Sequence, residues 1–457
     1  MSKLNAAEAL PKIVRVVPRN RNIEAFLLAF AVGLNAFELS QIQLSLLKVL
    51  TPEIFLYLLP PAFFALVIHI ILRRRASEAD PMILPIAVVL NGLGLSMIYR
   101  LDLATIANGG TELFAEKQVV WTVVAMAFAA AVIIFVPSHL FLRRYVYVSM
   151  IVGVGLLISP MIPGLGRNIN GAQLWIAIGD LTFQPGELAK IALTVFFAGY
   201  LVTRRESLAI VGRKVLGVRI PRARELGPIL VIWGASLLVL ILQRDLGTSL
   251  LYFGIFIVLV YTATGRAIYV IAGITMFLTG ALVAGRMMEY VSGRVDSWLN
   301  PFLASNYDAA GGSYQLAQGI FGLAHGGLLG TGLGGGLPQL VPLAESDFII
   351  AALGEEIGLI GLFAVFALYL LLVSRGIRIG FNHPDDFSKL LATGLAFVIA
   401  LQCFIVIGGV TRVVPLTGLT TPLLAAGGSS LLANWIIVGL LLRISDTVDS
   451  GNKSVNV

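Results

Sequence analysis

Apolar residues run along this chain in blocks separated by short polar stretches. A helix needs about 20 mostly apolar residues to cross the hydrocarbon of a bilayer. By that measure the blocks predict about twelve crossings, centred near residues 31, 63, 90, 128, 153, 195, 235, 254, 276, 361, 399 and 433. The block from Ile229 to Thr262 is too long for one crossing. As a helix it would measure about 51 Å, against a core of about 30 Å. The polar break LQRDLGT, with Gln243, Arg244, Asp245 and Gly247, divides it. The expected fold class is an all-α polytopic membrane protein.

Composition supports this reading. The 457 residues are 58% hydrophobic and 12% charged, with mean hydropathy +0.91; soluble domains carry about 25% charged residues. No small-residue cleavage site follows the first apolar run, so that run reads as a retained helix. The single cysteine, Cys403, excludes an intramolecular disulfide. No Cys/His cluster suggests zinc. No internal repeat is visible.

The net charge of +7 says most through its placement. With the N-terminus in the cytoplasm and twelve crossings, most of the 32 Lys and Arg fall on cytoplasmic segments. The outside segments hold Lys48, Arg100, Lys117, Arg167, Arg244, Arg286, Arg294 and Arg412. This satisfies the positive-inside rule with both termini cytoplasmic. The basic run Arg204 to Arg224 reads as a surface lying on anionic membrane lipids, with a cytoplasmic partner as the sharper alternative. Nothing points to nucleic acid.

Three long segments then face outside: 163–186, 287–347 and 409–422. Their Trp, Leu and Phe content argues against disordered tails. They are expected to fold back on the bundle and line a cavity, where irregular backbone at membrane depth is tolerated. In FQPGELAK, Pro185 suits a first helical turn, and Glu187 and Lys190 share a face. Ionisable groups in a span usually face a cavity, although a self-neutralising structural pair is the plainer reading. Asp347 can cap the helix that follows it, whereas Glu355 and Glu356 lie two turns in and call for a cavity or a cation. Asp308 stands alone in a loop of glycines, where a solvated turn residue is the ordinary explanation. GTGLGG has no strand before it and is weak evidence for nucleotide binding. His325 alone is weak evidence of a general base.

Six separated stretches together resemble one family. NGAQLWI, FQPGELAK, QRDLGT, GGSYQLAQGIFGLAHGGLLGTGLG, ESDFIIAALGEEIGLIG and PLTGLTTPLLAAGGSSLLANW follow the order expected of SEDS proteins, the RodA/FtsW/SpoVE peptidoglycan glycosyltransferases. The resemblance divides the chain into residues 1–80, with two additional helices as in actinobacterial members, and a ten-helix core over 81–445. The core contains the extracytoplasmic loop 287–347, and 446–457 form a short cytoplasmic tail. RVDSWLNPF and that short tail resemble the elongation-type branch.

The resemblance implies polymerisation of lipid II at the outer face of the cytoplasmic membrane, serving cell elongation and shape. The partner it implies is a class B penicillin-binding transpeptidase. The family's catalytic carboxylate lies seven residues before a motif Gln, which here makes Asp308 the base and Gln315 the Gln. The motif departs from the family pattern at Ala309, where Pro is expected, and at Gly311, Gly312 and Ser313. The chemistry is compatible: an alcohol attacking an acetal carbon needs a general base. A departing diphosphate needs fixed cations, for which Arg167, Arg244, Arg286, Arg294 and Arg412 are candidates. A divalent cation, Mg2+ or Mn2+, is another way to meet that charge. Matching positions give Gly171, Trp175, Gln184, Glu187 and Lys190 as one wall of the site, with Gln243, Asp245 and Gly247 nearby. Asp347, Glu356, Pro415, Thr417 and Ser429 line or brace the rest.

A lipid II flippase or other secondary transporter is the rival reading, since buried ionisable residues also suit that class. Against it, no second half mirrors the first, and the polar residues gather at the outer side. A scaffold for cell-wall enzymes leaves the outside motifs unexplained. Trimming residues 1–78 is expected to spare the chemistry.

Overall fold

The computed structural model describes residues 19–455 except 137, 170–171, 180, 211, 216–217, 222–233, 235–236, 239–240 and 310–311. Among the described residues, eleven helices are long and apolar enough to cross a membrane. They match eleven of the twelve expected crossings. The one near residue 235 lies largely outside the described residues.

Burial separates centre from rim. Helix α3 (Ile83–Ala107) is 94% buried over its most apolar window, and α13 (Asp386–Val410) and α14 (Gly428–Val455) are also largely enclosed. Helices α1 (Arg19–Leu46) and α2 (Ile54–Arg75) pack on α3 and on α4 (Ala115–Phe135) and expose Phe30, Phe37, Phe55 and Phe63. Such exposed apolar flanks suit hydrocarbon contact. α5 (Val146–Ile158), flanked by two short 3-10 turns, packs on α6 (Pro185–Ile210), which begins at Pro185 as expected.

The expected break at 243–247 is present. Asp245 caps α7 (Leu246–Thr264), its side chain accepting from the Thr248 amide at 3.0 Å. Gly265, at φ 67°, ends α7 in the left-handed region, and α8 (Ala267–Met287) follows. α8 is 6% buried over its most apolar window.

Two ribbons interrupt the helical pattern. Segment 163–186, expected as an irregular loop, contains an antiparallel meander of β1 (Gly166–Ile169), β2 (Ala172–Ile178) and β3 (Leu181–Phe183). Its register sets Arg167 opposite Trp175 and Ile176 opposite Phe183. Within the expected basic surface, β4 (Gly212–Val215) pairs with β5 (Val218–Pro221).

The 287–347 segment is not loose. It holds α9 (Glu289–Leu299), the single turn α10 (Ala304–Tyr307), α11 (Tyr314–Gly326) and a 3-10 turn at Pro338–Leu340. α12 (Ile349–Asn382) follows. Its 34 residues would span about 51 Å. The uninterrupted apolar run 357–374 already measures about 27 Å, so the first turns of α12 stand at or beyond the bilayer surface.

α11 runs parallel to those first turns. Gly319 faces Phe348, Gly322 faces Glu355, Gly326 meets Gly354 and Gly330 meets Glu356. The chain then turns back through the glycine-rich stretch, leaving Leu328 and Leu329 exposed. At the bottom of this excursion α12 itself breaks: Gly358 has φ 66° and ψ −176°. The amides of Leu359 and Ile360 donate instead to the carbonyls of Gly327 and Leu328, at 3.0 and 3.1 Å. A β-carbon at Gly358 would stand 2.3 Å from the Gly330 nitrogen, and only glycine tolerates both that approach and that φ.

Candidate active site

Segments 163–186, 287–347 and 409–422 converge at one end of the bundle. α6 contributes a buried pair, with Lys190 donating to Glu187 at 2.5 Å and to Gln402 of α13 at 2.9 Å. Gln402 donates onward to the Thr420 carbonyl, and the Thr420 hydroxyl donates to Ser430 at 2.9 Å. The Gln184 amide donates to Ser429 Oγ at 2.8 Å, which ties the foot of α6 to the start of α14. Tyr252 of α7 closes the group through the Gly186 carbonyl at 2.7 Å. Lys190 and Glu187 therefore neutralise each other while bonded to a wall of amides and hydroxyls.

A second cluster adjoins it around Arg294 of α9. The guanidinium donates to the Thr417 carbonyl at 3.4 Å and acts electrostatically on both Asp245 and Asp347. Burial pushes the Asp245 carboxyl up, and its Thr248 hydrogen bonds and Arg294 oppose the rise. Burial, then the neighbouring Glu345, pushes Asp347 up to about 6, with Arg294 again opposing. Gly247 lies against Thr417, and Gly418, left-handed at φ 75°, lies against the Asp347 carboxylate. One cation beside the buried Asp245 and the partly buried Asp347, next to the exposed backbone of Gly418, is an arrangement able to receive an anionic ligand and adjust its own charge.

α9 is fastened over this floor. The Trp298 indole donates to the Arg412 carbonyl at 3.1 Å, while Arg412 donates to the carbonyls of Trp298 and Leu299 at 2.8 and 2.7 Å. Arg412 thus spends two donors on holding α9. Arg244 and Arg412 both hold left-handed backbone, φ 61° and 62°, a conformation that costs a non-glycine residue about 1–3 kcal/mol and clusters at functional sites.

Asp308 follows α10 and is exposed. Its backbone amide closes the α10 turn on the Ala304 carbonyl. Asn306 moors the turn to α9 by donating to the carbonyls of Asp296 and Asn300. Ser313 fixes the far side through the Pro301 carbonyl at 2.7 Å. Among the described residues, no side-chain hydrogen bond or ion pair engages the Asp308 carboxylate. Gln315 lies in the first turn of α11, half-buried.

Other expected site residues stand apart from these clusters. Glu356 is buried under the glycine-rich stretch. It accepts from Arg100 of α3 at 2.5 Å and from the Gly334 amide at 2.9 Å. Glu355 accepts from His325 and from the Leu337 amide, each at 2.8 Å. The two acids brace that stretch and pair with named partners. Arg167 is exposed on β1, opposite Trp175. Gly171 lies outside the described residues. Among the described residues, no group of three His, Cys, Asp or Glu side chains is placed to hold a metal ion.

Sequence reasoning missed Tyr290, Gln402 and the partner of Arg100. Tyr290 has a buried hydroxyl without a hydrogen-bond partner among the described residues. Burial pushes its pKa up, while the positive charges of Arg294 and Arg244 oppose the rise. No motif marks Tyr290. Gln402 lies mid-way along an apolar run, where an isolated amide is the one signal that a polar neighbour exists.

This helical bundle with a polar cluster at one end belongs to a recognised class. The sequence model of the FtsW, RodA and SpoVE family, described as cell cycle proteins, matches residues 81–450, and the chain belongs to that family. It is 43% identical over 433 residues to the peptidoglycan glycosyltransferase RodA of Mycobacterium tuberculosis, covering 94% of this chain and 91% of that one. It is 32% identical to the stage V sporulation protein E of Bacillus subtilis, over 82% of this chain and 99% of that protein. The fold matches a chain of a peptidoglycan synthase complex with TM-score 0.55, at 24% identity, covering 86% of this chain and 97% of that chain. It also matches the rod shape determining protein RodA of Thermus thermophilus with TM-score 0.54, at 21% identity, over 80% and 96% of the two chains.

Proposed function

We propose that this protein is a peptidoglycan glycosyltransferase that polymerises lipid II at the outer face of the cytoplasmic membrane, with both termini in the cytoplasm. Asp308 carries the reading. It is an exposed carboxylate with no side-chain partner among the described residues, on a turn moored to α9, and α9 itself docks on the 409–422 segment through Arg294 and Trp298. An unengaged carboxylate is available to take the proton of an acceptor sugar's hydroxyl as that oxygen attacks the anomeric carbon. The departing diphosphate takes the bonding electron pair. Arg294 is the cation best placed to meet its charge, and Asp245 and Asp347 tune that cation. Lys190 and Glu187, bonded to Gln402, shape the polar wall beside it.

Any Mg2+ or Mn2+ would enter as a complex with the diphosphate, because such ions keep several waters and need only one or two protein carboxylates. A class B penicillin-binding transpeptidase is the proposed partner, in keeping with the synthase complex whose fold this chain shares. The test is glycan formation from lipid II by purified protein, with and without a transpeptidase. Asp308→Asn should abolish the product and leave thermal melting unchanged. Glycan made by Asp308→Asn would overturn the assignment of the base. Lipid translocation in liposomes without any glycan would favour the transporter.

A further inference from the structure

Helices α1 and α2 precede the family-matched core, and nothing in the proposed chemistry uses them. Their outer end nevertheless touches the glycine-rich stretch. A β-carbon at Gly334 would lie 2.8 Å from Ser45 Cβ, 2.9 Å from Ser45 Oγ and 3.3 Å from Leu46 Cγ. Gly334 is also the residue whose amide Glu356 holds.

A second route runs through α3. Gln43 of α1 donates to the Tyr99 hydroxyl at 2.9 Å and to Thr51 Oγ1 at 2.8 Å, and it accepts from the Thr51 amide at 2.9 Å. Tyr57 of α2 stacks obliquely on Tyr99, ring centres 4.4 Å apart. The next residue, Arg100, binds Glu356, the Gly336 carbonyl and Gln339. The α1–α2 hairpin therefore meets the 334–336 backbone directly and also through Tyr99 and Arg100. The same stretch is continuous with α11, at whose head the Asp308 turn is fixed by Ser313.

We propose that the α1–α2 hairpin is a positioning element for glycan synthesis, with Ser45 as the positioning residue. By bearing on Gly334 it sets where α11, and with it the Asp308 turn, comes to rest over the Arg294 floor. This rests on the reading of Asp308 as the base. It also departs from the expectation that the first 78 residues can be trimmed without touching the chemistry. Misplacing a reacting group by about 1 Å can cost roughly a hundredfold in rate.

The test is a double-mutant cycle in the full chain. Gly334→Ala should cut lipid II turnover roughly ten- to a hundredfold with KM little changed, because the new methyl meets Ser45 and alanine is strained at the φ of 78° that Gly334 holds. Removing that obstruction with Ser45→Gly in the same chain should restore part of the loss, the φ strain at Gly334 remaining, while Ser45→Gly alone, which withdraws the bearing on Gly334, should cost about three- to tenfold in turnover with KM little changed. Hydrogen exchange of backbone 314–337 should rise and fall with turnover across the four proteins, and this readout needs no chemistry. Ser45→Trp approaches from the hairpin side and leaves the glycine-rich stretch intact, so it decides the question if Gly334→Ala fails to fold. Phe30→Ala, on the exposed flank of α1, should leave turnover unchanged. A double variant no faster than Gly334→Ala, or recovered turnover with unaltered exchange, would overturn the proposal. An active Asp308→Asn would instead refute the base, leaving the exchange result to decide the positioning role.

Discussion

Arg100 and Glu356 form a buried ion pair whose loss has a calculable effect. Arg100 is 1% exposed, and its guanidinium makes three hydrogen bonds: 2.5 Å to Glu356, 2.6 Å to the Gly336 carbonyl and 2.9 Å to Gln339. Arg100→Met removes the cation and leaves a carboxylate that is itself 1% exposed. Breaking a buried pair in this way costs about 3–5 kcal/mol. Arg100→Lys keeps the charge but loses the planar fork, and two lost hydrogen bonds at about 1 kcal/mol each predict a loss near 2 kcal/mol. In Arg100→Met with Glu356→Gln the stranded charge is gone, so the double variant should be more stable than Arg100→Met alone. The cycle should give a coupling of about 2 kcal/mol or more. The measurement is unfolding of purified protein in mixed micelles at increasing SDS, followed by tryptophan fluorescence. Additive single-variant losses would show that the pair does not carry the brace, and the account of how the glycine-rich stretch is held would fail.

Three further outcomes follow from particular positions. Asp347 is raised to about 6 from 3.8, so the folded protein holds this proton more tightly than the unfolded chain does. Its contribution to stability is present below about pH 4 and is lost as pH rises through about 6. Asp347→Asn should therefore gain on the parent above pH 6, by at most about 3 kcal/mol, and converge with it below pH 4 in melting experiments. Gly358→Ala should cost more than about 3 kcal/mol, because the methyl meets backbone atoms 2.3–2.5 Å away at φ 66°; a melting temperature close to the parent's would contradict the break in α12. Lys190→Met should strongly destabilise the bundle, and adding Glu187→Gln should recover part of the loss by removing the stranded carboxylate, as read by melting in detergent.

The crossings were legible because hydropathy over some 20 residues sums many small terms of the same sign. Pro185, Glu187 and Lys190 were legible for a local reason: a helix start and an i,i+3 pair are set by neighbours in sequence. The Asp245 cap and the break beside it could be read the same way. The meander at 166–183 could not, since strands of three to seven residues carry too few positions for alternation to register. Glu355 and Glu356 were seen to need partners, yet the partners are Arg100, His325 and two loop amides, distant in sequence and joined only when α11 lies along α12. Tyr290 has Arg294 one turn on along α9, but Arg244 is distant in sequence, and nothing local announces that the two arginines meet at one hydroxyl.

The broken helix α12 has a consequence for the order of assembly. Its apolar run can enter the bilayer on its own strength, but the amides of Leu359 and Ile360 find acceptors only when Gly327 and Leu328 arrive from an earlier part of the chain. Until that closure a membrane-embedded rod has an unfinished upper end, exposed to nicking and mispairing. Folding of this protein therefore finishes where the glycine-rich stretch closes on α12, and an insertion between residues 327 and 334 would be felt first as a failure to mature.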